Sequence, residues 1–315
     1  LLIYGSLGTG TWLTQETKTR ASSSYMLNLT VLPNTDGVSR TAYIYFVKVT
    51  DMESIVVEIV TIIQRGEVAS ESTDYSSDKK VRVLQTAKLG KGLPIVLMGD
   101  GFIDTEINDG TYDAVMDKAF ENLFTEEPIK SLRDYFNVYA VTAVSKHNIF
   151  GTGYETALGC ELAGGNSTGI SGEDNAVQRY VQCVDNIDMS ETLAVVILNS
   201  PAYAGTTYFG YTNQTKVVEF AIAYCPVIYD LQSESFRQVL VHEAVGHGFA
   251  KLEDEYAYQE NGTISSKEIK NVQYLQTLGW AQNVDFTSDP SQVLWSAFLN
   301  DNRYVSEKLG VFEGA

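Results

Sequence analysis

The sequence predicts an α+β fold of two domains, in which a small N-terminal β-sandwich precedes an α/β domain. Two observations predict this fold. Short runs rich in β-branched and aromatic residues occupy the first 86 positions, whereas strand-like and helix-like runs alternate beyond them. A chain of 315 residues is also long for a single hydrophobic core. We therefore place the domains at residues 1–86 and 87–315.

The N-terminal runs lie at residues 26–32, 41–47 and 54–60, and turn residues at 33–37 separate the first two. Several short strands that follow one another in this way are typical of a β-sandwich. The next segment, residues 70–80, is polar and has no periodicity. We interpret it as the linker between the domains.

The second domain begins with a fully apolar run at residues 93–98, which predicts a buried strand. Asp100 follows in a Gly-Asp-Gly turn, where a structural, loop-capping role is expected. Residues 112–124 show helical apolar spacing, and residues 135–144 and 192–198 are further apolar strands. Strands that alternate with helices predict a sheet with helices packed on it.

The overall composition excludes some classes of function. The chain carries 40 acidic against 22 basic residues, a formal charge of −18, so it lacks the basic surface that nucleic-acid binding needs. No apolar run reaches the ~18 residues of a membrane span. The three cysteines, Cys160, Cys183 and Cys225, have no Cys-x-x-Cys spacing. This excludes a cysteine-rich zinc site and leaves a Cys160–Cys183 disulfide or buried free thiols.

Two of the three histidines, His242 and His247, lie in a predicted helix at residues 235–250, which Ser235 and Gln238 would open as a capping box. Residues five apart on a regular α-helix are separated by ~500°, so the two rings would point roughly 140° apart and could not share a metal ion. A locally widened, π-type turn would bring them to one face, and Gly246 would ease the strain. We predict such a turn; the alternative is a chance pair on a surface helix.

An acidic run, Glu253 to Glu255, follows the second histidine, where a third metal ligand on the outgoing chain would lie. Together with His242, Glu243, Gly246 and His247, this run resembles the signature of the IgA metallopeptidase family, a branch of the zincin-type zinc peptidases. Further matching segments are residues 93–102, 135–141 and 303–314, so the resemblance covers roughly residues 88–315. The chain departs from the common family form by one extra residue between the histidines.

The resemblance implies that residues 87–315 form an α/β zincin-like metallopeptidase domain with a bound Zn²⁺. His242, His247 and Asp254 would be the metal ligands, with Glu253 and Glu255 as competitors for the third position. Glu243 would be the general base that activates water. A methionine turn beneath the metal is also implied, and because no methionine follows Met189, the domain is expected to be incomplete at its C-terminus.

The N-terminal part resembles a second family, the Bacteroidetes-associated immunoglobulin-like (BACON-like) modules. Trp12, Arg40 at the start of a strand, and a closing β run near residues 63–64 carry this resemblance. It implies contact with glycans through residues 1–86; the alternative is a spacer module that binds nothing.

The predicted function is therefore that of a zinc endopeptidase acting on protein or peptide substrates, immunoglobulin or other host or dietary proteins among them. Residues 206–212 could form an edge strand along which a substrate pairs, or an ordinary hairpin strand. The alternative function is that of a catalytically silent, peptidase-like surface protein, which the unusual histidine spacing favours. The expected location is secreted, cell-surface or periplasmic.

Overall fold

The structure is a computed structural model. It describes residues 69–163, 169–209, 220–254, 264–306 and 309–312, together with the backbone of five strands in the first 64 residues. Those strands are β1 (Leu2–Ser6), β2 (Leu13–Glu16), β3 (Asn28–Val31), β4 (Arg40–Val49) and β5 (Ser54–Gln64). β1, β4 and β5 form one antiparallel sheet, and β2 pairs with β3. Packing of these sheets into a sandwich stays a prediction.

A six-stranded mixed sheet forms the centre of the second part of the chain. The remaining strands are β6 (Val81–Gln85), β7 (Leu93–Asp100), β8 (Phe136–Val141), β9 (Glu161–Leu162), β10 (Ile170–Ser171), β11 (Leu193–Leu198), β12 (Thr206–Phe209) and β13 (Ala221–Pro226). The order across the sheet is β12-β13-β11-β7-β8-β6. The four inner strands are parallel, and the two edge strands run antiparallel to their neighbours. The predicted α/β sheet is therefore confirmed.

Helices cover both faces of this sheet. They are α1 (Asp104–Asn108), α2 (Thr111–Leu123), α3 (Asp174–Val181), α4 (Glu234–Leu240), a π-helix (Val241–Phe249) and α5 (Ser266–Thr277), with short 3₁₀ turns at Arg133–Tyr135, Met189–Glu191, Ser296–Phe298 and Asn302–Tyr304. Leu97 and Val195 pack towards α2, α4 and the π-helix, whereas Val96 and Val196 pack towards α3. Burial on both faces explains why these strands are continuous apolar runs in the sequence.

The segment predicted to be a linker is instead bound to the second domain. Ser72 donates its hydroxyl to the Ser145 carbonyl at 2.7 Å and accepts the Asp104 amide at 2.9 Å. Asp104 in turn accepts the amides of Thr73 and Asp74, and these hydrogen bonds hold the pKa of its carboxyl below the usual range. Because β6 also belongs to the six-stranded sheet, we propose that the second domain begins near residue 70 rather than at 87.

Candidate metal centre

The N-cap of the helix that carries the histidines lies two residues earlier than predicted. Ser233, not Ser235, is the N-cap of α4, and its hydroxyl oxygen accepts the Phe236 amide at 3.0 Å. Both serines precede the same apolar residues, so the sequence alone could not choose between them. The cap directs the buried side chains of Phe236, Val239 and Leu240 onto the sheet.

The widened turn predicted between His242 and His247 is confirmed, and it is longer than expected. The π-helix spans nine residues, Val241–Phe249, and at its end the Ala250 amide donates to the Val245 carbonyl at 2.9 Å, a bond across five residues. Gly248 is the glycine that the packing requires, because a Cβ there would lie 2.6 Å from Leu193 Cδ1 on β11. A Cβ on Gly246 would have no neighbour nearer than 3.9 Å.

The π-helix brings the two imidazoles together, and the outgoing chain adds a carboxylate. His242 Nε2 and His247 Nε2 are 3.0 Å apart. Asp254 Oδ1 lies 3.1 Å from His247 Nε2 and 3.5 Å from His242 Nε2. Among the described residues, these three form a group whose ligand atoms all lie within 4.8 Å of one another.

Hydrogen bonds around the group fix which atoms face its centre. His247 Nδ1 lies 2.7 Å from the Leu252 carbonyl oxygen, which can only accept, so Nδ1 carries a proton, and in the neutral imidazole the lone pair is on Nε2. Asn283 binds both sides of the Glu253 backbone: its side chain accepts the amide at 2.9 Å and donates to the carbonyl at 2.8 Å. Asn283 therefore holds both the amide and the carbonyl of the residue that precedes Asp254.

The three atoms fit a metal ion. Asp254 Oδ1 is buried and has no hydrogen-bond donor, and it faces the lone pair of His247 Nε2, so a cation between them would satisfy both. Tetrahedral ligands at zinc-like bond lengths of ~2.0–2.1 Å are separated by roughly 3.3 Å. The observed separations of 3.0, 3.1 and 3.5 Å lie around that value.

The two competing acids differ from Asp254. Glu253 is partly buried, and burial, with the nearby Asp254 charge, raises the pKa of its carboxyl. It is not a member of the group that could hold a metal. Glu255 lies outside the described residues, so its candidacy stays a prediction.

Glu243 is next to the ligand group but points into the protein. Its side chain is 7% exposed, and Thr207 Oγ1 on β12 lies 2.7 Å from its Oε2. Burial raises the pKa of the Glu243 carboxyl, while the Thr207 hydrogen bond and the two histidines act in the opposite direction. The carboxylate thus contacts the edge strand β12.

The other residues named from the sequence, Asp100, His147 and the cysteines, lie outside the ligand group. Asp100 is buried and accepts hydrogen bonds from Ser145, Thr156, Leu158 and Cys160, which confirms its loop-organising role. His147, which we did not assign to the site, accepts the Glu155 amide. All three cysteines are free thiols, so the disulfide considered for Cys160 and Cys183 is absent.

Sequence reasoning missed Thr207 and Asn283. They contact residues 36 and 30 positions away, and a hydrogen bond across such a separation leaves no local pattern. The one available signal for Thr207 was its place in the predicted edge strand. β12 does lie at an edge of the sheet.

Comparison with known proteins gives two matches. The sequence model of a family described as IgA Peptidase M64 matches residues 81–307, and that of the BACON family, described as a putative N-terminal binding domain, matches residues 6–65. These matches confirm both predicted resemblances. No curated protein matches the chain. The first match covers well over half of the 315 residues and includes the whole ligand group. Within the described residues, each helix is too short or too polar to cross a bilayer.

Proposed function

The chain belongs to the IgA peptidase M64 family, and from that premise we propose that it is a zinc endopeptidase whose metal is held by His242, His247 and Asp254. Family membership makes it a peptidase, that is, a hydrolase of protein substrates. The observation that carries the metal assignment is the convergence of two imidazole nitrogens and one carboxylate oxygen within 3.0–3.5 Å.

The chemistry of the donor set favours zinc. Imidazole nitrogen is a borderline ligand, and a set of two imidazoles with one carboxylate suits Zn²⁺ better than it suits Ca²⁺ or Mg²⁺, which prefer all-oxygen sites. Three protein ligands leave one position open, which distinguishes catalytic from structural zinc sites. When bound, the ion would polarise the scissile carbonyl and lower the pKa of a water molecule towards ~7.

Glu243 is the proposed general base. It adjoins His242 in sequence, is buried beside the ligand group and is held by Thr207. Its carboxylate takes a proton from the attacking water and passes it to the leaving amine. Burial, which raises the pKa of this carboxyl, brings its basicity closer to that of the groups between which it moves the proton.

The substrate is proposed to lie along β12. This strand is at one edge of the sheet and next to Glu243, so its outer side is the place where an extended peptide could add as a further strand. Immunoglobulin and other host or dietary proteins are the substrates to test first. We further propose that the protein acts outside the cytoplasm, at the cell surface, in the periplasm or after secretion. Glycan binding by residues 1–86 stays a prediction that a glycan array would test.

The alternative of a silent binding protein rested on the five-residue histidine spacing. The π-helix places both rings on one side despite that spacing. The feature that favoured the alternative therefore no longer does so.

Metal analysis with a matched control tests the proposal. We expect about one zinc ion per purified chain, loss of casein or fluorogenic-peptide hydrolysis after chelation, and recovery after zinc is added back. His242→Ala should lose both metal and activity. His147→Ala is the control, because this histidine lies outside the ligand group and should leave both unchanged. A chain that purifies without zinc and binds none when supplied would overturn the proposal.

A further inference from the structure

The edge strand β12 presents different side chains to its two faces. Thr206 and Tyr208 contact β10 on one face: the Thr206 hydroxyl oxygen accepts the Ile170 amide at 2.9 Å, and the Tyr208 hydroxyl donates to the Ile170 carbonyl at 2.8 Å. Thr207 lies between them in sequence and points to the opposite face, where the π-helix lies.

Thr207 contacts both the side chain and the backbone of Glu243. Its Oγ1 is 2.7 Å from Glu243 Oε2 and 2.9 Å from the Glu243 carbonyl oxygen. Both are acceptors, so the hydroxyl donates its one proton, and the ionised carboxylate is the stronger acceptor. The hydroxyl therefore restrains the side chain relative to its own backbone.

A glycine on the same strand segment leaves room for this arrangement. A Cβ on Gly205 would lie 2.6 Å from Glu243 Oε1 and 2.8 Å from Val239 Cγ1. A side chain at position 205 would therefore displace Glu243 or Val239. Glu243 is enclosed by Gly205 at Oε1 and bound by Thr207 at Oε2.

Thr207 is the donor on which the buried carboxylate depends. Among the described residues, no other side chain or amide donates a hydrogen bond to the Glu243 carboxylate in this structure. A buried carboxylate without a donor is unfavourable and would seek another position. Small displacements of a general base are costly, because proton transfer needs hydrogen-bond reach and alignment.

We propose that Thr207 is a positioning residue, which holds Glu243 in the orientation that proton transfer requires, in the space that Gly205 leaves. This inference rests on the proposed function. It means that the strand along which the substrate is proposed to lie also carries, on its inner face, the group that orients the general base.

The first test measures the contact without using activity. In the metal-free protein, Thr207→Val should lower the unfolding midpoint by about 2–5 °C, because a charge-assisted hydrogen bond is lost while shape and β-branching are kept. The same change in a Glu243→Met background should cost clearly less. Equal losses in both backgrounds would show that the two side chains are not coupled and would overturn the inference.

The second test separates positioning from substrate binding. With zinc content unchanged, Thr207→Val should lower kcat roughly 10- to 100-fold and leave KM near the wild-type value. Thr207→Ser keeps the hydroxyl and should recover most of kcat. Thr192→Val is the matched control, because it removes a buried hydroxyl that donates to the Asp188 carbonyl rather than to Glu243, and its kcat should stay close to wild type. Thr207→Ala replaces the valine variant if that chain does not fold.

The two tests also separate this inference from the proposed function. An unchanged kcat in Thr207→Val, or serine that fails to recover activity, overturns the positioning role. A wild-type chain that holds zinc but cleaves no peptide overturns the proposed function, and the unfolding experiment on the metal-free protein still decides whether Thr207 binds Glu243.

Discussion

Glu243 and its neighbour His242 are adjacent in the chain but occupy opposite environments. The His242 side chain is 47% exposed, whereas Glu243 is 7% exposed and faces β12. Because successive residues of a helix point in different directions, one residue can bind a metal while the next stays buried to move a proton. This division predicts different consequences for their loss.

Glu243→Gln should abolish hydrolysis while leaving zinc content near normal. The amide oxygen of glutamine can still accept from Thr207, so the site keeps its shape, but it cannot take a proton, and we expect a loss in kcat of at least roughly 10²–10⁴-fold. Peptide hydrolysis and zinc analysis on the same preparation check this. Glu253→Gln is the control and should retain both hydrolysis and zinc, since Asp254 is the proposed third ligand. Loss of zinc in Glu243→Gln would instead make Glu243 a ligand.

Asn283 binds the backbone of Glu253, the residue before Asp254. Its side chain makes the two hydrogen bonds that a neighbouring strand would make, one residue before Asp254. Asn283→Ala should weaken zinc binding by roughly 10- to 100-fold, the usual effect of losing a group that orients a metal ligand. Chelator competition measures the affinity. Gln282→Ala should change little, because this neighbouring side chain donates to the carbonyls of Gln276 and Trp280 and not to Glu253.

The three proposed ligand residues were predictable from the sequence, whereas the residues that support them were not. His242, His247 and Asp254 follow one another within 13 positions, so a local pattern records them. Thr207 and Asn283 reach the site from distant segments of the chain. Threonine and asparagine are common surface residues, and nothing in their sequence neighbourhood distinguishes these two.

At the scale of one element, the π-helix accommodates an extra residue. Five-residue spacing places two side chains on one face only where hydrogen bonds run across five residues, as they do at Val245 and Ala250. This property was predictable, because a regular α-helix could not have brought the rings together. The full extent of Val241–Phe249 was not, because the sequence does not show how far the widened hydrogen bonding spreads.

Deleting Gly246 should convert the π-helix to an α-helix and retain the metal. The deletion leaves His-Glu-Ala-Val-His, in which the histidines are four apart and share a face of a regular helix. Zinc affinity should fall by less than the roughly 10–100-fold that is lost when a group that orients a metal ligand is removed. Gly246→Ala is the control, because it keeps the five-residue spacing of the histidines. A Cβ at this position meets no atom nearer than 3.9 Å, so the substitution fits the helix. A folded deletion variant without zinc would contradict this account.

At the scale of the whole molecule, the six-stranded sheet positions the helices that pack on its two faces, including the π-helix that carries the histidines. Three of its inner strands, β7, β8 and β11, were predicted within about three residues, because burial on both faces leaves an apolar run, whereas β13 was not predicted. The outer strand β6 was not predicted, because all five of its residues are half-exposed or exposed and they directly follow the polar segment at residues 70–80. The same polarity hid the contacts of residues 70–80, which use hydroxyls and amides rather than apolar side chains.

Two truncated chains should therefore differ in stability. Residues 69–315 retain β6 and the contacts of Ser72 with Ser145 and Asp104, whereas residues 87–315 lose them and leave β8 as an uncovered edge. We expect the shorter chain to unfold at a lower temperature or to aggregate, and the longer one to keep zinc. Thermal unfolding and size-exclusion chromatography measure this. Equal stability of the two would support the boundary at residue 86.

The π-helix also affects how relatives of this protein are recognised. A search pattern that requires histidines four residues apart passes over this chain, although its rings lie 3.0 Å apart at Nε2. A one-residue insertion that widens the helix changes the sequence spacing of the histidines but still leaves their rings side by side. Genome searches for such peptidases should therefore accept a spacing of five whenever an acidic run follows at the same distance from the second histidine.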